Sequence, residues 1–420
     1  MIAFDDREAV LQLAAAPPAI PRKMIGPDEA LALVLHFGGR PRTELVPLDR
    51  ARGRRLAAAV CADRPYPAFR RAMMDGYAVV ATDAGRTVDV AGQIAAGDES
   101  PLVVKPGAAV EIMTGAACPP GTEAVVQKEA VRRQGEQVEL PHRIEPGMNI
   151  APIGSECQAD ARVLAPGDAV TPLAIAAMAS FGIERVEVVR RPSLSIITTG
   201  AELVAPGVAI GRVQIRDSNG PMLAAMARDL GIEPRRVDHA DDTREATLAA
   251  LRHTEGDDIV ILSGGVSAGR FDLAPDALRE HGAEIVFHKV SQKPGKPLLL
   301  ARRGEQLLFG LPGNPLACHL GFHRYVAAAI RLREGREPLP LPSRGVLAAP
   351  ARGHPHRVSF VLARAERTTE EEGWQLRPLG GVSSADIFTP ATANCYLRLP
   401  PGGDYAPGEP AAFLWIRPEE

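Results

Sequence analysis

The sequence predicts a multidomain α/β-plus-β protein, with a doubly wound α/β domain, an inserted β module and a C-terminal β-barrel-like domain. Three observations carry that prediction. Strand-like and helix-like segments alternate through residues 183–336, the pattern of a parallel sheet with helices on both faces. Residues 69–150 are short strand patterns separated by Gly and Pro turns. Beyond the linker Pro338-Leu339-Pro340-Leu341-Pro342, strand patterns return without helices between them. The expected division is an extension over 1–23 and a discontinuous first domain over 24–68 and 151–182, its first helix packing on the α/β domain. The β module then takes 69–150, the α/β domain 183–336 and the barrel 337–420.

Taken in order, Met1 to Lys23 reads as a short helix and a proline-rich break, and Pro27-Asp28-Glu29 opens a helix carrying Leu31, Leu33, Val34 and Leu35. Leu45 to Asp63 reads as strand, turn and helix, with Asp49 as cap and Ala51 to Val60 helical. The stiff link Arg64 to Phe69 leads into the β module, and Leu173 to Phe181 is a small-residue helix ending at Gly182. Strands follow at Arg185–Val189, Ser193–Thr198, Val213–Arg216, Val237–Ala240, Ile259–Leu262 and Leu307–Gly310. Helices lie between them, one capped by Asn219 or Ser218 with Pro221 in its first turn, one after Asp241-Asp242-Thr243, one over Leu273–His281, and the last from Pro315 to Glu334. Barrel strands are expected at Arg357–Arg364, Trp374–Leu379, Cys395–Leu399 and Ala412–Ile416.

Composition narrows the function classes. The 420 residues are 45% hydrophobic and 24% charged, ordinary for a globular chain long enough for several cores. A net charge of −3, with only 4% aromatics and no basic stripe, argues against nucleic acid as a partner. No apolar run reaches the length of a membrane span, and the acidic start is unlike a signal peptide. Five scattered cysteines without a Cys-x-x-Cys suit a reducing compartment, so the expected location is the cytoplasm.

The chemistry concentrates between Ile259 and Pro315. An apolar strand opens into Ser263, Gly264, Gly265, Val266, Ser267, Ala268 and Gly269, a strand-to-helix turn whose backbone N–H groups can cradle phosphate or another oxyanion. Asp272, just beyond, is placed to hold Mg2+ rather than to face phosphate directly. Lys289, Lys293 and Lys296 follow, the last two in a Lys-Pro-Gly-Lys-Pro loop whose prolines fix its path. Leu311-Pro312-Gly313-Asn314-Pro315 is a second rigid turn before a helix. A lone Gly-Gly turn is as often a tight connection, and lysines are usually solvated; three such features in one βαβ succession point to an anion site at the strand ends.

Other candidates divide less evenly. Glu202, Asp217, Asp241, Asp242 and Asp272 recur at strand ends and could face one crevice around magnesium, although Asp217, Asp241 and Asp242 can equally be helix caps. His319 and His323 have a metal-compatible spacing but lack a metalloprotease glutamate, and read better as packed histidines. His354-Pro355-His356 is a weak signal, and Cys318 has no His or Asn constellation to make it a nucleophile. No Gly-x-Ser-x-Gly elbow or Walker motif occurs.

Together these stretches resemble the molybdopterin molybdenumtransferase family, comprising the MoeA proteins and the C-terminal domain of gephyrin. The matching pieces are Met74–Val79 (MDGYAV), Met113–Glu129 (MTGA, PxG and EAVVxxE), Asn149–Glu156, Thr198–Leu203 (TTGxEL) and Asp217–Gly220 (DSNG). They continue with Ser263–Asp272 (SGGVSxGxxD), Lys293–Pro297 (KPGKP) and Leu311–Pro315 (LPGNP), in an order and spacing that is highly specific.

The resemblance implies a homodimer that binds adenylylated molybdopterin, molybdate and Mg2+, inserts the metal at the dithiolene, and releases AMP. A molybdopterin adenylyltransferase is a candidate partner. It further implies Asp272, Glu202 and Asp241 around Mg2+, and Asp272, Glu202, Lys293, Lys296, Asp75 and Thr114 as catalytic positions. Substrate positions are Gly264, Gly265, Ser267, Gly269, Lys289, Asp217, Ser218, Asn219, Pro312, Gly313, Asn314, Pro315 and Glu156. Arg357 and Ser384, with Lys293 and Lys296, match molybdate positions, and a planar Arg fork with a hydroxyl suits an oxyanion. Asp75, Thr114 and Glu156 match β-module positions that reach across the dimer. Departures from the family pattern include Arg71-Ala72-Met73 for Asn-Ser-Ala, Ala151 for Arg, Glu156 for Asp, Ala201 for Asp and Ala317 for a hydroxyl residue, so several polar groups are expected to be missing from the site's rim. Alternatives kept beside the enzyme are a non-catalytic dimeric scaffold and a nucleotide pyrophosphatase.

Overall fold

A computed structural model describes residues 7–16, 24–265, 273–367, 373–381, 383 and 385–416. They form two compact units, Met1–Glu44 with Val189–Glu420, and Leu45–Val188.

The first unit is built on a six-stranded sheet of β1 (Leu194–Thr199), β2 (Arg236–Ala240), β3 (Ile259–Ser263), β4 (Glu284–His288), β5 (Leu299–Arg303) and β6 (Gln306–Leu311), in the order β2-β1-β3-β6-β5-β4. β1, β2, β3 and β6 run parallel, and β5 is antiparallel to both β6 and β4. Apolar runs here are continuous because both faces are covered. Ile196, Ile259, Ile261, Leu307 and Phe309 join one core with helices Pro27–Phe37, Asn219–Asp229 and Ala327–Arg333. Their neighbours Ile197, Val260, Leu262 and Leu308 join the other, under Arg244–Arg252 and Ala274–Glu280. The period of two along each strand thus fills two cores at once. The doubly wound architecture is as expected; β4 and β5, unforeseen, make the sheet mixed at one edge.

Parallel strands leave their amino ends to be closed, and Asp258, preceding β3, does this. It is 6% exposed and accepts hydrogen bonds from Arg190 Nη2 (2.8 and 2.6 Å), Ser193 N (2.8 Å) and Ser193 Oγ (2.9 Å). Burial pushes its carboxyl up, but the bonds from Ser193 and Arg190 more than reverse this, leaving it below the usual range. A depressed folded-state pKa contributes stability that is present above the unfolded value and is lost as pH falls through the folded one. Stability measured from pH 7 down to about 3 should therefore decline below about pH 4, and Asp258→Asn should flatten that decline; an unchanged acid limb in the variant would exclude Asp258 as its source.

The C-terminal strands β7 (Ser343–Leu347), β8 (Val358–Arg367), β9 (Trp374–Pro378), β10 (Cys395–Leu399) and β11 (Pro410–Trp415) pair in the order β8-β9-β7-β11-β10, and β10 returns to β8. That closes a five-stranded barrel around Leu376, Cys395, Leu397, Leu399 and Phe413. Asp28 bonds Arg324 (2.8 Å) and Arg398 (2.6 Å), tying the first helix of the α/β domain to the barrel.

In the second unit, strands Ala124–Gln127, Gly76–Val79, Ala108–Ile112, Thr87–Ile94, Gln137–Glu139 and Arg132–Gln134 form one sheet in that order, as expected for an all-β module. The expected helix over Ala51 to Val60 is absent. Only Leu48–Arg50 makes a short 3-10 turn, and Gly53 then takes a φ of 74°, which an α-helix cannot continue through. The backbone bonds go sideways instead: Gly53 N to Val170 O (2.9 Å), Leu56 N to Asp168 O (2.9 Å) and Val170 N to Arg54 O (2.9 Å). Among the described residues no helix is long and apolar enough to cross a membrane.

Candidate anion-binding site

β1, β3 and β6 bring Thr198–Thr199, Ser263–Gly264 and Leu311 to the same end of the sheet. There Gly264 has a φ of 106° and Gly265 a φ of 62°. A Cβ on Gly264 would lie 2.5 Å from the Thr199 carbonyl oxygen and 2.6 Å from Thr199 Oγ1, so the close approach admits only glycine. Asn219 Nδ2 donates to Ser263 Oγ (2.9 Å) and to the Gly313 carbonyl (2.8 Å), stitching the first turn of its helix to both loops. Asn219 Oδ1 and Thr199 Oγ1 are buried with no hydrogen-bond partner among the described residues. Both side chains are 8% exposed, and unpaired buried polar atoms beside a glycine cradle are what a bound polar ligand would satisfy. Ser267 and Gly269, expected in the cradle, and Asp272, expected just beyond it at Mg2+, lie outside the described residues.

The acids at the strand ends separate by role. Asp217 accepts from Thr198 Oγ1 (2.9 Å) and Gly220 N (3.0 Å), so it is the cap of helix Asn219–Asp229, while Ser218 makes no side-chain cap bond. Thr243, not Asp241 or Asp242, caps the next helix by accepting from Ala246 N (3.2 Å). Glu202 and Asp241 are exposed, and their carboxylates have no hydrogen-bond or ion-pair partner among the described residues. Among those residues no three His, Cys, Asp or Glu side chains gather as a metal-sized group.

The lysine loop is anchored from both sides. Lys289, with a φ of 82°, donates its N–H to the Leu298 carbonyl (2.8 Å), and Val290 N bonds Lys296 O (2.8 Å). Gln292–Lys293 pairs in parallel with the start of β8, Gln292 opposite Val358 and Lys293 opposite Ser359. Fully buried Gln292 accepts from Tyr325 OH, donates to the Gly295 carbonyl (3.4 Å), and offers its own carbonyl to Arg357 Nη1 (3.2 Å). Arg357 Nη2 lies 3.1 Å from His354 Nε2. Lys293 and Lys296 themselves are exposed. A Cβ on Gly295 would stand 3.8 Å from Ala317 Cβ, and one on Gly313 would stand 3.8 Å from Gly264 Cα. The three loops therefore pack together around Gly264, Gly313 and Ala317, and the barrel adds Arg357. Asn314 opens helix Pro315–Gly321 behind Pro312, with Pro315 in its first turn. Ser384 lies outside the described residues.

In the other unit, Asp75 Oδ1 accepts from Thr114 N (2.8 Å) and Thr114 Oγ1 (2.6 Å), and Lys128 Nζ stands 3.5 Å from Oδ2. The Thr114 hydroxyl, then its N–H, hold the Asp75 carboxyl below its usual range. Glu156 is ion-paired with Arg71. Ala72 and Ala151 were expected on a rim; they are 1% and 6% exposed, because their short strands pair Ile150 with Ala72 and Ala151 with Arg71. Ala317, 3% exposed, is likewise packed, and of the four only Ala201 faces solvent.

Cys318, His319 and His323 are packed inside the α/β and barrel unit. Burial pushes Cys318 up to about 12, which removes it as a thiolate nucleophile. His319 meets Tyr396 OH (2.7 Å) and His323 donates from Nε2 to the Trp415 carbonyl (3.0 Å); burial lowers them to about 4 and about 3.

Comparison with known proteins decides the family. Residues 25–182 match the MoeA N-terminal region (domain I and II), 195–332 a probable molybdopterin binding domain, and 344–415 the MoeA C-terminal region (domain IV). The molybdopterin molybdenumtransferase of Bacillus subtilis (strain 168) is 35% identical over 413 residues, 95% of each chain. The chain belongs to the molybdopterin molybdenumtransferase family. That of Staphylococcus aureus (strain Mu50) is 32% identical over 390 residues, covering 91% of this chain and 93% of its own. The molybdopterin biosynthesis MoeA protein of Pyrococcus horikoshii superposes with a TM-score of 0.80 at 27% identity, over 94% of this chain and all of that one. Sequence reading missed Thr199, Gln292 and the contact of His354 with Arg357; only the Thr198-Thr199-Gly200 stretch left a trace of the first.

Proposed function

We propose that this chain is a molybdopterin molybdenumtransferase, taking molybdate as substrate and inserting its metal into adenylylated molybdopterin with release of AMP. The observation that supports this reading is the parallel pairing of Gln292–Lys293 with the start of β8, with Arg357 of the barrel bonded to the Gln292 carbonyl. A pair of cations with several N–H donors suits a tetrahedral dianion. The cradle of Gly264, Gly265 and the Pro312–Pro315 turn would take phosphate oxygens, with Thr199 Oγ1 donating and Asn219 Oδ1 accepting a ligand proton.

Mg2+ takes hard oxygen ligands, and Glu202 and Asp241 are exposed carboxylates beyond strand ends with no partner among the described residues. When bound, the ion neutralises phosphate charge. Glu202 and Asp241 would hold it; Lys289 and Lys296 would orient the phosphates; Lys293 and Arg357 would hold the oxyanion. The same reading includes a homodimer to which Asp75, Thr114 and Glu156 contribute, a cytoplasmic location, substrate handed on by a molybdopterin adenylyltransferase, and the five-part domain division.

The test is AMP release by the purified chain from adenylylated molybdopterin and Mg2+, with and without molybdate. Release that requires molybdate and yields active cofactor is the expected result. Equal release without molybdate would favour a nucleotide pyrophosphatase, and binding without release a scaffold. Lys293→Ala should raise the KM for molybdate about 10-fold, because a charge-assisted hydrogen bond is worth about 1.5 kcal/mol or more. A KM for molybdate equal to the parent's would remove Lys293 from that role.

A further inference from the structure

The loop that precedes β8 holds a histidine in an unusual setting. His354 Nδ1 lies 3.1 Å from the backbone N of His356, and His354 Nε2 lies 3.1 Å from Arg357 Nη2. Both neighbours can only donate. A neutral imidazole has one accepting nitrogen and one N–H, so one of the two contacts opposes donor to donor. The backbone fixes this arrangement: His354 N donates to Ser359 Oγ (2.8 Å), and His354 and Arg357 form a one-residue bridge. The ring is only half-buried, so solvent or a ligand can reach it. Burial first, then Arg357, Lys293 and His356, lower its pKa, and the charged groups that act on it are all cationic. Among the described residues, nothing in contact with the ring accepts its N–H.

A place that gathers an Arg fork, a Lys and an imidazole N–H, where the Gln292 carbonyl takes one Arg357 N–H but no acceptor meets the ring among the described residues, is complementary to an anion. We propose that His354 is a binding residue for the tetrahedral oxyanion, its Nε2–H donating to an oxygen of the anion beside Arg357. Nδ1 then accepts from His356 N–H, Nε2 keeps the proton, and the Arg357 guanidinium pivots as a plane so that Nη2–H meets the same anion. The donor–donor opposition disappears when the anion is present. The inference rests on the reading above that Arg357 and Lys293 receive molybdate, and adds a third donor to them.

The test uses the full chain and molybdate as the titrant, with calorimetric affinity and the melting temperature measured with and without the anion. His354→Ala should weaken molybdate binding about 10-fold, the loss of one hydrogen bond to a charged partner. It should also shrink the molybdate-induced rise in melting temperature while leaving the unliganded melting temperature where it was. His354→Gln places an amide N–H near the position of Nε2 and should restore affinity to within about 3-fold. Parent-like binding by His354→Ala, with binding lost in Arg357→Ala, would overturn the proposal and leave the oxyanion reading standing. Binding unaffected by Arg357→Ala and Lys293→Ala would overturn both. A fall in the unliganded melting temperature that His354→Gln also shows, with no recovery of affinity, would make the ring a structural element and overturn the proposal.

Discussion

Gly264→Ala is expected to lower turnover at least about 100-fold, some 2.7 kcal/mol of lost transition-state stabilisation, while the protein still folds. The added Cβ would sit 2.5 Å from the Thr199 carbonyl oxygen, a backbone atom at the end of a fully buried strand. A φ of 106° adds strain for any residue with a Cβ. Neither contact relaxes by rotating a side chain, so the loop after β3 must withdraw from β1. That moves Gly264 and Gly265 away from Thr199 Oγ1 and Asn219 Oδ1, the two buried atoms left for a ligand. The cost to stability should be about 1–3 kcal/mol, as for other residues held in sparsely populated backbone regions, because the sheet below Ser263 is untouched. The measurement pairs a thermal melt with binding of adenylylated molybdopterin and with kcat/KM. Parent-level kcat/KM in a variant that melts normally would show that the close approach of the two loops has no part in the reaction.

What the sequence disclosed and what it withheld follow from the range of the interactions. Ile259 to Leu262 read as a strand buried on both faces because its apolar run is continuous, and its alternate residues do enter two different cores. The glycines after it read as a cradle because a strand-to-helix turn has few conformations that expose backbone N–H groups. Local pattern misled at Ala51 to Val60, where an alanine- and arginine-rich stretch suits a helix, but Gly53 and pairing with Asp168 and Val170, more than a hundred positions away, set the conformation. Asp217 illustrates a different limit. Cap and ligand readings use the same carboxylate, and only the bonds from Thr198 and Gly220 identify the cap. The unpaired oxygen of Thr199 and the donor-flanked ring of His354 arise only where strands or domains meet, so a one-dimensional pattern has no signature for them. Of the positions expected on the rim, Ala72, Ala151 and Ala317 pack inward in this chain and Ala201 is exposed, a difference set by tertiary packing rather than by local pattern.

Gly76→Ala should cost the β module about 4 kcal/mol or more, in the range reserved for severe overpacking. Strand Gly76–Val79 is flanked on both sides, with Gly76 opposite Gln127 on one neighbour and Ile112 on the other. A Cβ there would stand 2.0 Å from the Val126 carbonyl oxygen and 2.8 Å from its carbon. With strands at both edges the chain cannot bow outward, so relief requires breaking one ladder. The same backbone carries Asp75, whose carboxylate takes two bonds from Thr114 in the loop after strand Ala108–Ile112. Loss of the ladder therefore also removes the constraint that presents Asp75. The expected result is a separate, lower-temperature transition assigned to residues 45–188, with limited proteolysis falling inside that unit while the α/β and barrel unit persists. Hydrogen exchange resolved along the chain would locate it. If Gly76→Ala melts with the parent and protects strand Gly76–Val79 equally, the clash is absorbed elsewhere, and the glycine of this motif must be explained by chemistry at Asp75 rather than by packing.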